Sequence, residues 1–267
     1  MKKIRIQDIQ NFKKTKQPFA TITAYDYTSS CLCNALGFPL ILVGDSASMV
    51  VFGYEDTTPV SMEEMLLLLK AVLRGNDSAL VVADMPFLSY QPSKRDAVHN
   101  AGRFIKAGAT AVKLEGGREV ATKIEALVGS GIPVMGHLGL LPQSINLMSG
   151  YKIQGKTKDR AIALIEDAVL LQRMGVFSLV LEGVPAEVAN IITKKVKVPT
   201  IGIGSGPSCD GQIQVFHDVL GLFNKIVPKH AYKFTDGNKH LISGLKKYKI
   251  SVEKGLFPNS KNYSKLN

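Results

Sequence analysis

Tryptophan is absent from the 267 residues, and cysteine occurs three times, as Cys31, Cys33 and Cys209. An odd three without CxxC spacing argues against a disulfide framework and a structural zinc site, and leaves small buried thiols as the simple reading. Long apolar runs are also missing. The stretch MLLLLKAVL is broken by Lys70 and falls short of the ~20 residues a membrane helix needs. The opening MKKIRIQDIQNFKKTK has the basic residues of a signal peptide with no apolar core behind them, so a cytoplasmic protein is expected. No Pro/Ser linker or charge run divides the middle. One domain over residues 1–267 is therefore expected, with a short N-terminal extension and a helical tail from about residue 226. Acidic residues are the scarcer charge, 22 against 33 basic, for a formal net charge of +11. The excess gathers at the ends, in Lys2, Lys3, Arg5, Lys13, Lys14 and Lys16 and in LKKYKISVEKG. No basic stripe with interleaved aromatics crosses the middle, which argues against nucleic acid as the partner, and an anionic small molecule would gain from the same field.

What is present is a recurring unit. Short apolar runs come one after another: Phe19–Tyr25, Leu40–Asp45, Ala79–Met85, Thr110–Gly117, Ile132–His137, Phe177–Gly183, Pro199–Gly206 and, more weakly, Ile213–Asp218. They are nearly continuous in apolar character, as parallel strands buried on both faces are. Helix-like segments lie between them. SMEEMLLLLKAVLRG opens on Ser61 with Glu64 three residues on, a capping box, and stops at Gly75. SKRDAVHNAGRFIKAGA and DRAIALIEDAVLLQRMG carry helical period as well. About eight such units predict an α/β fold, a (β/α)8 TIM barrel, with a doubly wound open sheet as the alternative.

The polar residues fall at one kind of place. Asp45 ends the second run, Asp84 the third, Lys113 and Glu115 the fourth, His137 the fifth and Glu182 the sixth. In a barrel all strand ends share one face, where barrel enzymes keep their chemistry. A single acid there is more often a cap for the next helix. Four acids, a lysine and a histidine at five consecutive ends form a candidate site. Asp45, Asp84 and Glu115 are hard oxygen donors without thiolates, a set that suits Mg2+ over zinc. A metal on a ketone acidifies the neighbouring carbon, Lys113 can hold a carboxylate or a developing enolate oxygen, and Glu182 is left as a base. The set points to carbanion chemistry on a 2-oxo acid. His137 reads either as a substrate contact or as a satisfied polar group. GIGSG (202–206) reads as a tight turn or an anion-approaching backbone; its spacing is not that of the dinucleotide fingerprint. The long link HLGLLPQSINLMSGYKIQGKT suits a binding element or an oligomer contact.

The motifs TITAYDY, LVGDS, TTPVSMEEM, ADMPF, AVKLEGG, GHLGLLPQS, GYKIQGKT and IGIGSGPSCDGQ run over nearly the whole chain. Together they closely resemble the ketopantoate hydroxymethyltransferase family, of the phosphoenolpyruvate mutase and isocitrate lyase superfamily. The resemblance implies a (β/α)8 barrel that transfers a hydroxymethyl group from 5,10-methylenetetrahydrofolate to 3-methyl-2-oxobutanoate with Mg2+, in pantothenate biosynthesis. It implies Asp45, Asp84 and Glu115 at the metal and Asp45, Ser46, Asp84 and Lys113 at the substrate. It also implies Glu182 as proton acceptor, and a homodecamer of two stacked pentamers. Three positions depart from the family pattern: Ser48 replaces a glycine, MSGY replaces a glycine pair, and Ser205 replaces an alanine. Related lyases would present a similar carboxylate set, but the nucleophilic cysteine typical of them is missing from the strand ends. A Schiff-base aldolase working through Lys113 is a further alternative.

Overall fold

The computed structural model describes residues 2–148, 153–223 and 231–264. Eight parallel strands close into a barrel in chain order: β1 (Phe19–Thr23), β2 (Leu40–Val43), β3 (Leu80–Asp84), β4 (Ala111–Glu115), β5 (Val134–Gly139), β6 (Ser178–Glu182), β7 (Thr200–Ile203) and β8 (Gly211–Gln214). Helix α1 (Ile6–Lys14) precedes β1 and α2 (Tyr27–Ala35) follows it. After β2 come α3 (Ala47–Val50) and α4 (Met62–Arg74), after β3 α5 (Lys94–Ala107), and after β4 α6 (Ala121–Gly129). A 3-10 turn at Pro142–Ser144, α7 (Ile145–Met148) and α8 (Lys158–Arg173) follow β5, and α9 (Ala186–Lys195) follows β6. Two more helices, α10 (Phe216–Leu220) and α11 (Gly237–Glu253), come after β8. Closure of β1 onto β8 gives the expected (β/α)8 barrel and rules out the open sheet.

The strands are apolar on both faces because both are covered. Leu40, Leu42, Leu80, Val82, Ala111, Met135, Val180, Ile201 and Ile213 form one buried cluster that fills the barrel. Alternate residues such as Ile41, Val43, Val81, Val112, Leu114, Leu179 and Leu181 are buried on the opposite, helix-facing side. Each large aliphatic side chain so buried contributes about 1.5–3 kcal/mol. Helix α4 shows the match of period to packing. Met62, Met65, Leu69 and Val72 are buried at spacings of three and four, Ser61 accepts from the Glu64 amide, and the Glu64 side chain answers the Ser61 amide at 2.7 Å.

The N-terminal extension closes the lower end of the barrel. Ile9 of α1 joins the interior cluster, Phe12 stacks on Phe19 at 4.8 Å, and the Lys13 Nζ donates to Asp210 Oδ2 at 2.9 Å. The sequence reading took this stretch only as a basic extension.

One strand lies elsewhere than expected. The eighth run was expected at Ile213–Asp218, but β8 is Gly211–Gln214, and Phe216–Leu220 is helical. Pairing decides this. Gly211 to Gln214 match Phe19 to Ile22 residue by residue, and the Phe216 amide turns off the strand to donate to Thr23 Oγ1 at 2.9 Å. The chain divides into two compact units, Met1–Phe216 and His217–Asn267. The first holds the barrel. The second holds α11, capped by Asp236. The tail expected from about residue 226 falls in this second unit, and residues 224–230 lie outside the described ones.

Candidate active site

Register sets the site. Asp84 pairs with Lys113 across β3 and β4, Glu115 pairs with His137 across β4 and β5, and Gly139 pairs with Glu182 across β5 and β6. Lys113 follows Ala111 by two residues, and Asp84 follows Val82 by two, so both point into the barrel as their apolar neighbours do. The interior thus changes from aliphatic to charged at the carboxyl ends of the strands, the face where such barrels carry chemistry.

The charged groups touch in sequence. Lys113 Nζ lies 2.9 Å from Asp84 Oδ1, 3.5 Å from Glu115 Oε1 and 3.1 Å from His137 Nδ1. His137 Nδ1 lies 3.5 Å from Glu115 Oε1, and its Nε2 lies 3.3 Å from Glu182 Oε2. The Asp45 amide donates to Asp84 Oδ2 at 3.2 Å. Ser46, next to Asp45, shares a 2.8 Å hydrogen bond with the Tyr25 hydroxyl. All seven residues expected at the site therefore stand along the carboxyl ends of β2 to β6. Asp84 is almost sealed, with 1% of its side chain exposed, whereas Glu182 keeps 14% and can meet a molecule entering from solvent.

The electrostatics are lopsided. Asp45, Asp84 and Glu115 are buried with one buried ammonium, so full ionisation would set three negative charges against one positive charge. Burial, then the charges of Asp84 and Glu115, push the Asp45 carboxyl well above the usual carboxylate range. Burial also raises Asp84, against the pull of Lys113. Glu115 falls below its ordinary value: burial opposes its charge, but Lys113 and the His137 hydrogen bond outweigh it. Burial acts to lower Lys113, yet Asp84, Glu115 and Asp45 overcome it and hold the ammonium more firmly protonated than a free lysine. Burial and Lys113 likewise disfavour the His137 cation, but hydrogen bonds to Glu115 and Glu182 raise its pKa.

Two residues that sequence reasoning passed over complete the site. Gln143, in the turn after β5, is buried; its Nε2 donates to Asp45 Oδ2 and to the Met85 carbonyl, both at 2.9 Å. The Tyr90 hydroxyl accepts from the Glu115 amide at 3.1 Å and donates to Gln143 Oε1 at 2.9 Å. Pro142 at the first position of a short helix just after the His137 strand was the available signal.

Glycine is required at Gly139. Its φ is +102°, and a Cβ there would drive into the Glu182 carbonyl oxygen. The GIGSG segment ends β7 at Ile203 and then turns beside β6. Ser205, one of the departures from the family pattern, donates to the Leu181 carbonyl at 2.7 Å and accepts from the Val184 amide at 3.1 Å. Ser48 donates to the Asp56 carbonyl at 2.6 Å. The MSGY departure lies largely outside the described residues, as does that part of the long link after β5. The cysteines stand apart from the site: burial pushes Cys33 up to about 11 and also raises Cys209, so neither is a ready thiolate.

A closed parallel barrel with buried acids, a lysine and a histidine at its carboxyl ends defines a (β/α)8 protein, and its fold is similar to that of 2,3-dimethylmalate lyase. That solved structure, described as a PEP mutase/isocitrate lyase superfamily member, superposes with a TM-score of 0.62 at 14% identity and covers 97% of this chain and 91% of its own. The chain belongs to the ketopantoate hydroxymethyltransferase family, whose model matches residues 3–260. It is 52% identical to the 3-methyl-2-oxobutanoate hydroxymethyltransferase of Nitrosopumilus maritimus over 97% of this chain and 92% of that one. It is also 52% identical to the protein of the same name from Dehalococcoides mccartyi, over 96% and 92%. The protein is thus an enzyme of a transferase family. Among the described residues no helix is long and apolar enough to cross a membrane.

Proposed function

We propose that the protein transfers a hydroxymethyl group from 5,10-methylenetetrahydrofolate to 3-methyl-2-oxobutanoate, giving 2-dehydropantoate for pantothenate biosynthesis. The observation that carries this reading is the contact chain from the partly accessible Glu182 through His137 to Lys113 and the buried acids. It joins a base that substrate can reach to a charged floor suited to a 2-oxo acid.

The donor set fits Mg2+. The acids are hard oxygen ligands, and a divalent cation would offset the two negative charges that full ionisation leaves over. Among the described residues no three His, Cys, Asp or Glu side chains are already gathered as a metal cluster. Lys113 stands between Asp84 and Glu115. Asp45 and Asp84 would hold the ion, with Glu115 directly or through water as the third oxygen donor. Bound there, the ion would supply Lewis-acid polarisation of the 2-oxo group.

The chain's own residues do the rest. Ser46, polarised by Tyr25, and the Lys113 ammonium orient the carboxylate and ketone oxygens, with His137 as a further contact. Glu182 takes the proton from the carbon beside the ketone, and the electron pair moves toward the ketone oxygen. That carbon then bonds to the one-carbon unit of the folate, both carbon–nitrogen bonds to the folate break, and one water supplies the hydroxyl of the product; the proton taken by Glu182 and the second proton of that water go to the two folate nitrogens. Lys113 acts by charge. An ammonium held this firmly by three carboxylates is a poor Schiff-base nucleophile, which speaks against the aldolase alternative.

Proton magnetic resonance in heavy water tests the reading. With Mg2+ and no folate, deuterium should enter the carbon beside the ketone of 3-methyl-2-oxobutanoate. Adding the folate should convert it to 2-dehydropantoate. Absence of exchange with metal present, or full exchange in excess chelator, would overturn it. The same reading carries a cytoplasmic homodecamer without nucleic-acid or membrane partners; a fully active species of 28.9 kDa in light scattering would refute the assembly.

A further inference from the structure

We propose that Gln143 is a positioning residue that sets the Asp45 carboxylate for its cation. Three strand ends meet on this one side chain. Its Nε2 donates to Asp45 Oδ2, after β2, and to the Met85 carbonyl, after β3. Its backbone amide donates to Glu115 Oε2, at the end of β4, at 3.1 Å. Its Oε1 accepts from the Tyr90 hydroxyl at 2.9 Å and from Gln91 Nε2 at 3.1 Å.

The network admits one orientation of the amide. Turned over, Oε1 would face a carboxylate and a carbonyl, three acceptors together, and Nε2 would face the Gln91 amide donor. Tyr90 and Gln91 therefore fix which end of Gln143 meets Asp45. Gln143 is buried, so the bond to Asp45 competes with no water. The bond matters because Lys113 makes direct ion pairs with Asp84 and Glu115 and acts on Asp45 through its charge, whereas Gln143 gives the Asp45 side chain a direct hydrogen-bond donor. A neutral donor can do this without cancelling the charge that attracts a cation. Partners of this kind tune metal affinity through the ligand they orient.

The inference rests on the proposed cation role of Asp45 and Asp84, and the test separates the two. Mn2+ binding to the full chain is measured by electron paramagnetic resonance, without substrate, for wild type, Gln143→Leu and Gln143→Met. Both variants should bind Mn2+ at least ~10-fold more weakly, within the range for lost partners of metal ligands. Gln143→Met fills nearly the same space but offers Asp45 no donor, so a purely space-filling role for Gln143 predicts that it binds Mn2+ like wild type. Below saturating metal, deuterium exchange into the oxo acid should fall in step with Mn2+ occupancy. If neither variant folds, Tyr90→Phe decides, since it loosens the far end of the amide and should weaken Mn2+ in the same direction. Wild-type Mn2+ affinity in the folded variants overturns the role of Gln143 alone. Failure of the wild type to bind Mn2+ overturns the cation reading and this inference with it.

Discussion

Replacing Lys113 by methionine is the most revealing perturbation of the charged floor. Methionine keeps the length of the side chain and removes the ammonium. The two ion pairs lost, at 2.9 Å to Asp84 and 3.5 Å to Glu115, are each worth about 5–6 kcal/mol of gross attraction at an effective dielectric of ~20. Desolvation of the lysine offsets much of this, and truncating one partner of a buried pair costs a net of about 3–5 kcal/mol. For a chain of this size that corresponds to a fall in Tm of roughly 6–10 °C. The loss should depend on pH. In the wild type Glu115 lies below its ordinary pKa, so its share of stability is present above the unfolded value and fades as pH falls through the folded one. Without Lys113, Asp84 and Glu115 both rise, and the folded variant holds protons that its unfolded chain has released. Its stability then increases on acidification, by up to ~1.4 kcal/mol per pH unit for each group, and the gap to wild type narrows. Denaturant unfolding at neutral and mildly acidic pH measures both effects. A deficit below ~1 kcal/mol at neutral pH, or one that does not shrink on acidification, would refute the reasoning.

Glu182→Gln should bind Mn2+ and 3-methyl-2-oxobutanoate normally while deuterium exchange falls by ~10² or more, and a collapse of metal affinity would instead make Glu182 a ligand. Asp84→Ala should abolish Mn2+ binding and turnover; wild-type Mn2+ affinity in this variant would remove Asp84 from the metal site. Because burial and the neighbouring acids raise Asp45, its charge costs folding stability in full above its raised pKa, and that cost shrinks as pH falls from there to the ordinary carboxylate range. Mg2+ uptake between the ordinary carboxylate range and that raised value should release a proton, with affinity climbing up to ~10-fold per pH unit, read by calorimetry in two buffers of different ionisation enthalpy. Buffer-independent heats throughout would contradict it. Gly139→Ala should cost about 2–4 kcal/mol through its left-handed φ and its crowding of Glu182, with exchange falling alongside; a wild-type Tm would dismiss the strain.

The sequence by itself determined the barrel and the roster of charged residues. Continuous apolar runs such as Leu40–Val43 and Leu80–Asp84 can persist only where both strand faces are covered, and the Ser61 capping box marks its helix without help from the rest of the chain. A polar residue ending run after run stands out in such a pattern. Three things waited for the tertiary structure. Strand β8 is polar and glycine-bearing, and exists because β1 and β7 pair with it, so the apolar stretch after it drew the sequence reading too far along. Pro142 marks the turn that carries Gln143 but not the role of the side chain, which lies in bonds to residues 98 and 28 positions away. The protonation of the site, too, was decided in three dimensions. A carboxylate and a lysine have ordinary pKa values until burial strips their water and register sets them a few ångströms apart, which is why Asp45 rises, Glu115 falls and Lys113 stays charged.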